Sequence, residues 1–322
     1  MPISSNADYI PTIDDFHAHW TVANDSQTFS IPIDDGVILY GELVDLRTDL
    51  DLIKTTLETR LNDLEIARVT LNQARDKAAD RLAEFNRRIR AQFPTDPRFN
   101  KLPLVPTRTA GRDSFLTAMD DAKDLWTRVN AIPTSIAFTA PLLLPGGLTL
   151  AAFTIQRTAL DAAFTARGTA EAQLSVIRAD RDAMQTRALR ILTGYRLMVE
   201  ALFPAESSIV LTLPALRPAP GHTPAAVEME ATWLPAQTKA QITWQASADL
   251  DLQDYQLRAI PGLDYSADDA TTLHTFGPAD PRDFLTGAGF AIPGTAMTYK
   301  IYVRLTTGNE SGSDAITVTR PL

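Results

Sequence analysis

The 322 residues include no cysteine and only four histidines. Without cysteine there is no disulfide framework, no thiolate zinc site and no cysteine nucleophile. Recognisable catalytic motifs are missing as well. The sequence has no Gly-x-x-x-x-Gly-Lys phosphate loop, dinucleotide-binding glycine fingerprint, Gly-x-Ser-x-Gly elbow or His-Glu-x-x-His pair. No enzyme activity, cofactor or metal is therefore expected. Positive charge is in deficit, with 30 Lys and Arg against 39 Asp and Glu and a net charge of −9. Duplex nucleic acid is excluded as a partner of the whole chain, because phosphate neutralisation needs a basic face. Met1 to Pro11 lacks a basic region followed by an apolar run, so no secretory signal is expected. The expected address is cytoplasmic by default, or outside by a signal-independent route.

What is present is ordinary globular material, 45% apolar and 21% charged, long enough for two domains with a core each. Two regimes meet near Pro214–Pro224, where clustered prolines predict an extended, semi-rigid linker over 214–224. Residues 1–213 read as helical and residues 225–322 as short alternating strands. About Val37 to Phe93 there is no proline, and apolar residues from Leu57 through Leu71, Leu82 and Phe85 to Phe93 recur in steps of three and four. That spacing predicts a long amphipathic helix, and a second is predicted from about Leu148 to Phe203. Each would be on the order of 80 Å long at ~1.5 Å per residue. Arg87, Arg88 and Arg90 at the end of the first suit its dipole and are expected to be solvated. Gly168 and Gly194 interrupt the second and mark close contacts or slight bends.

The helical region reads as two copies, about 8–107 and 111–213. Asp14-Asp15-Phe-His-Ala-His-Trp20-Thr21-Val-Ala-Asn24 aligns with Asp120-Asp121-Ala-Lys-Asp-Leu-Trp126-Thr127-Arg-Val-Asn130 at five of eleven positions. Each copy then runs to a Phe-Pro stop, 73 residues after the tryptophan in one and 77 in the other. The expected fold is an elongated four-helix bundle made from a duplicated short–long helix hairpin. Trp20 and Trp126 are expected as core anchors. His17 and His19, two apart on a helix, point different ways and are not expected to chelate a metal together.

Between Arg128 and Arg157 lie 28 residues without a charge, including Ile136, Phe138, Leu142, Leu143 and Leu144. Pro133, Pro141, Pro145 and the Gly146–Gly147 pair break any continuous membrane helix through them. Three readings stand: a loop packed across the bundle end, an oligomer contact, or a membrane-inserting tongue over 132–155.

In the last hundred residues about seven strand-like runs predict an immunoglobulin-like sandwich. Thr298-Tyr299-Lys-Ile301-Tyr-Val303, followed by Gly308-Asn-Glu-Ser-Gly312-Ser313, resembles strands F and G of a fibronectin type III domain. Trp244 in Ile242-Thr-Trp244 resembles that family's strand-B tryptophan, and Tyr255 its strand-C tyrosine. The resemblance covers about 30% of the chain and implies a spacer or binding module, with Tyr299 as a tyrosine corner whose hydroxyl bonds backbone. Asp8-Tyr9-Ile10-Pro11 and Arg87-Arg88-Ile89 loosely resemble bacterial proteins that join a helical region to such a sandwich, which implies no activity. Asp249, Asp251 and Asp254 offer carboxylates to calcium, but the loop lacks an EF-hand's glycine and terminal glutamate, so a solvated loop is expected.

The function expected from these features is a structural or interaction protein, a rigid helical rod or assembly unit presenting a sandwich binding module. Its partner would be another protein or a second copy. The alternatives are a membrane-active bundle using 132–155 and a carbohydrate- or surface-binding accessory protein.

Overall fold

The computed structural model describes residues 2–27, 30–33, 38, 40–94, 96, 99–135 and 138–322. The helical region has a short helix α1 (Tyr9–Asp25), a long α2 (Tyr40–Gln92), a short α3 (Arg112–Asn130), a long α4 (Leu150–Leu202) and one turn, α5 (Ser208–Leu211). Both long helices have 53 residues. Their ends fall where Phe93-Pro94 and Phe203-Pro204 remove the next backbone donor. An antiparallel β-sandwich follows: β1 (Met229–Leu234), β2 (Lys239–Trp244), β3 (Leu252–Pro261), β4 (Thr271–Phe276), β5 (Asp283–Thr286), β6 (Ala296–Leu305), β7 (Glu310–Gly312) and β8 (Ile316–Thr319). One sheet runs β1-β2-β5. The other runs β4-β3-β6-β7, with β8 also on β6. Within the run Gly308–Ser313, Glu310–Gly312 forms the short strand β7.

The chain forms two compact units, Met1–Glu65 with Gln173–Leu322, and Ile66–Ala172. In the first, α1 packs Ile13, Phe16 and Trp20 on Leu43 and Leu46 of α2 and on Ile191 and Tyr195 of α4. Trp20 stacks on Tyr195 with centroids 4.6 Å apart. In the second, α3 packs Phe115, Met119 and Trp126 on Leu82 and Phe85 of α2 and on Phe153 of α4. Trp126 stacks on Phe85 at 5.4 Å.

The matched residues of the two sequence copies make matching contacts. Asp14 accepts from Arg47 Nε at 3.1 Å, and Asp120 accepts from Arg157 Nη2 at 2.9 Å. Asn24 Oδ1 accepts from the Ile31 amide and Asn130 Oδ1 from the Leu142 amide, each at 2.8 Å. Thr21 and Thr127 each donate to the carbonyl four residues earlier. The asparagine thus ties down the connector behind each short helix, a role suited to a side chain that mimics backbone. The aspartate–arginine pairs span 33 and 37 residues. Both long helices have 53 residues, so this four-residue difference falls in the segment between each short helix and the long helix after it.

Gly194 sits where an added Cβ would meet Ile33 Cγ2 at 2.6 Å, which makes it a close-contact glycine, whereas Gly168 has open space. The 214–224 segment, which bends at Leu216–Arg217 and Pro220, is tethered. Arg196 donates to the Pro214 carbonyl, and the Ala219 amide donates to Thr307 at 3.0 Å.

In the sandwich, Trp244 packs 4.7 Å from Phe276, and Tyr255 accepts from the Ser247 amide at 2.7 Å. Tyr299 departs from expectation. It is fully buried, and among the described residues its hydroxyl has no hydrogen-bond partner, so it lacks the backbone bond of a tyrosine corner. Burial alone pushes its phenol well above the ordinary range. Removing a buried, unsatisfied hydroxyl relieves a desolvation cost. Tyr299→Phe should therefore leave stability unchanged or raise it by up to about 1 kcal/mol. A lowered urea midpoint would instead show that the hydroxyl is bonded in solution.

Candidate functional site

The strongest candidate site lies inside the first unit, where the second sheet meets the helices. Along β3, Tyr255, Leu257 and Ala259 enter the sandwich core. The alternate residues, Asp254, Gln256 and Arg258, would face water in a free-standing sandwich. They are buried all the same, 8%, 6% and 2% exposed. The helices and the N-terminal segment cover them. Arg304 of β6 donates through Nε and Nη2 to Asp254 at 2.8 and 2.6 Å and lies 3.5 Å from Asp8. Asp8 Oδ2 also accepts from the amides and hydroxyls of Ser4 and Ser5. Arg178 and Arg181 of α4 both donate to Asp269, in the β3–β4 loop. Glu65 Oε1 accepts from the Ala296 amide at 2.8 Å, and Ile260 packs on Leu57, Leu61 and Leu174. Apolar contact and buried ion pairs together seat the sandwich.

This seat leaves a cleft of about 620 Å³. Tyr9, Ile10, Leu50, Ile53 and Leu57 form an apolar helical wall. Facing it, β3 and β4 contribute Gln253, Gln256, Thr271, Thr272, His274 and Thr275. Thr272 Oγ1 is buried and has no hydrogen-bond partner among the described residues. Charge in the lining is nearly balanced, four carboxylates against Lys54, Arg181 and Arg304. Burial pushes the Tyr9 phenol up. For Arg181 burial disfavours the charge, but hydrogen bonds to Asp182 and Asp269 outweigh it and hold the guanidinium above its usual range. Chemically the cleft sets hydroxyl and amide groups on one side against apolar side chains on the other.

The residues singled out from sequence lie elsewhere. Of the candidate contact residues in the connector, Phe138, Leu142 and Leu144 are 3%, 1% and 2% exposed and belong to the core around Trp126. Trp126 Nε1 donates to the Leu142 carbonyl at 3.1 Å. These three are packing residues, not a surface, because the asparagine tether and the indole turn the connector inward. Leu143 remains exposed, and Ile136 lies outside the described residues. Leu143→Ser should change stability by no more than about 0.5 kcal/mol. Leu142→Ser and Leu144→Ser should each cost about 2–5 kcal/mol in urea unfolding. Among the described residues no helix is long and apolar enough to cross a membrane.

His19 is buried, its ring bonded to Tyr195 Oη at 2.7 Å and the Ile209 carbonyl at 2.8 Å, while His17 bonds Tyr40. Neither pairs with the other. Arg87, Arg88 and Arg90 are exposed. Asp254 faces Arg304 and is separated from Asp249 and Asp251, which instead meet His222 of the proline-rich segment. The Ser247 hydroxyl, and after it His222, hold the Asp249 carboxyl below its usual range despite some desolvation. Sequence reasoning missed the cleft entirely, since alternation along β3 marks two faces without showing that helices cover the polar one.

No family model and no curated protein matches the sequence. Among solved structures, an Fn3-like protein from Clostridium thermocellum is 18% identical, with a TM-score of 0.25, covering 31% of this chain and 97% of that one. The C-terminal region is an antiparallel β-sandwich. Pectate lyase PelI from Erwinia chrysanthemi, in complex with tetragalacturonic acid, is 14% identical, with a TM-score of 0.24 and 29% of this chain covered. The spore cortex lytic enzyme SleM from Clostridium perfringens is 18% identical, with a TM-score of 0.24 and 30% covered. The chain spans 28% of the length of each of these two enzymes.

Proposed function

We propose that this chain is a non-enzymatic interaction protein in which helices brace a β-sandwich binding module, and that the cleft receives a small, uncharged, hydroxyl-rich ligand. The cleft itself carries the reading. Its two buried guanidinium–carboxylate pairs, Arg181–Asp269 and Arg304–Asp254, satisfy one another, and the rest of the lining is mostly hydroxyls, amides and apolar side chains, with Lys54 set against Asp51 and Asp268. Nearly balanced charge selects neither an anion nor a cation. An apolar wall opposite suits the non-polar face of a sugar or polyol, and Thr272 Oγ1 offers a hydrogen bond that has no partner within the chain.

A thermal-shift and calorimetric screen of mono- and oligosaccharides tests it. At least one compound should raise the melting temperature, and Thr272→Val should weaken its binding about tenfold, the worth of ~1.4 kcal/mol for one hydrogen bond. A panel without binders, or a binder indifferent to Thr272→Val, overturns the assignment.

A second reading, self-association through the helices, rests on the apolar side chains α4 exposes. Ile155, Val176 and Leu197 are 71%, 62% and 63% exposed. Light scattering coupled to size exclusion decides it, and a monomer at every concentration removes it.

A further inference from the structure

We propose that His222, Asp249 and Asp251 form a binding site for a divalent transition-metal ion of the zinc class, clipping the proline-rich segment to the β2–β3 loop. The three side chains come from two segments, His222 from 214–224 and the aspartates from the loop after Trp244, and their ligand atoms lie within 4.8 Å of one another. His222 Nε2 is 3.1 Å from Asp249 Oδ1 and 3.7 Å from Asp251 Oδ1. With metal–ligand bonds of ~2.0–2.2 Å, neighbouring ligands sit about 3.0 Å apart in an octahedron and about 3.4 Å apart in a tetrahedron. The separation of 3.1 Å is close to the octahedral edge and that of 3.7 Å is a little longer than the tetrahedral one, so an ion fits with small side-chain movement.

The donor set decides the class of ion. One imidazole nitrogen and two carboxylates suit zinc and its neighbours, whereas calcium and magnesium take oxygen ligands throughout. Asp249 Oδ2 accepts from the Ser247 hydroxyl at 2.9 Å, which occupies that oxygen and orients Oδ1 toward His222. Asp251 and His222 are 38% and 57% exposed, so water can fill the remaining positions and the ion can enter. The segment is independently tethered through Ala219 to Thr307 and Asn309, so His222 is held beside the loop without the ion. A metal would add a second attachment, in the region that joins α5 to β1. The site is separate from the cleft and does not depend on the ligand assigned there.

The test is calorimetric titration of the metal-stripped full chain with zinc chloride, and separately with calcium chloride. One equivalent of zinc should bind and raise the melting temperature, with calcium at least tenfold weaker. His222→Ala and Asp251→Asn, both at exposed positions, should each weaken zinc at least tenfold while leaving the metal-free melting temperature within a few degrees. Three results overturn the proposal: no zinc binding, zinc binding unchanged by His222→Ala, or calcium binding as tightly as zinc. Unchanged binding in His222→Ala would assign the ion to other side chains.

Discussion

Arg304→Ala is expected to lower the unfolding free energy by about 3–5 kcal/mol, the range for breaking a buried ion pair from one side. The arginine side chain is 6% exposed and bridges Asp254, 12% exposed, and Asp8, 2% exposed. Asp8 keeps the four bonds from Ser4 and Ser5. Asp254 loses both guanidinium bonds and is left as a poorly compensated buried carboxylate, which is the source of most of the cost. The pair itself contributes much less than this, because forming it requires desolvating both charges. Arg304→Met combined with Asp254→Leu should therefore recover much of the loss. Urea unfolding of the single and double variants checks both statements. A single variant within 1 kcal/mol of the parent would show that water reaches Asp254.

Trp126→Ala should cost a similar amount, about 3–5 kcal/mol, for a different reason. The indole is fully buried between Phe85 and Phe153, with centroids at 5.4 and 5.6 Å. Its removal opens a cavity too large for the neighbouring rings to close, and it strands the Leu142 carbonyl that Nε1 satisfied at 3.1 Å. Trp126→Phe separates the two effects. It keeps most of the packing and loses the hydrogen bond, so it should cost clearly less. Trp20 offers a contrast, because its Nε1 has no hydrogen-bond partner. Trp20→Phe should be milder than Trp126→Phe by roughly the worth of one hydrogen bond, ~1 kcal/mol. Equal losses in the two phenylalanine variants would show that the Trp126–Leu142 bond contributes nothing.

The seating of the sandwich bears on how a ligand would be reported to the helices. Arg181 and Asp269 line the cleft and also join α4 to the β3–β4 loop. A ligand that fills the space beside them stiffens that joint without a new ion pair. Such binding would show as slower amide exchange around Asp269.

The elements themselves were legible in the sequence. Steps of three and four identified both long helices, and the proline-free stretch, the Pro145-Gly146-Gly147 start and the Phe-Pro stops placed their ends to within about three residues. Alternation located the strands that carry Trp244, Tyr255 and Tyr299, and the repeated Asp…Trp-Thr…Asn motif marked residues that make equivalent local contacts. What the sequence determined by itself was therefore whatever depends on near neighbours: helix periods, stops, strand alternation and a tether a few residues long. The tertiary structure alone decided which polar faces are covered. Asp254, Gln256 and Arg258 alternate like solvent-facing residues, yet they are buried, because Arg304 pairs with Asp254 and Arg258 bonds both Gln256 and the distant Glu310. The inward turn of the connector, the unpartnered Tyr299 hydroxyl and the meeting of His222 with Asp249 and Asp251 belong to the same group. Each depends on which distant backbone arrives beside a side chain, and no local period in the chain encodes that arrival.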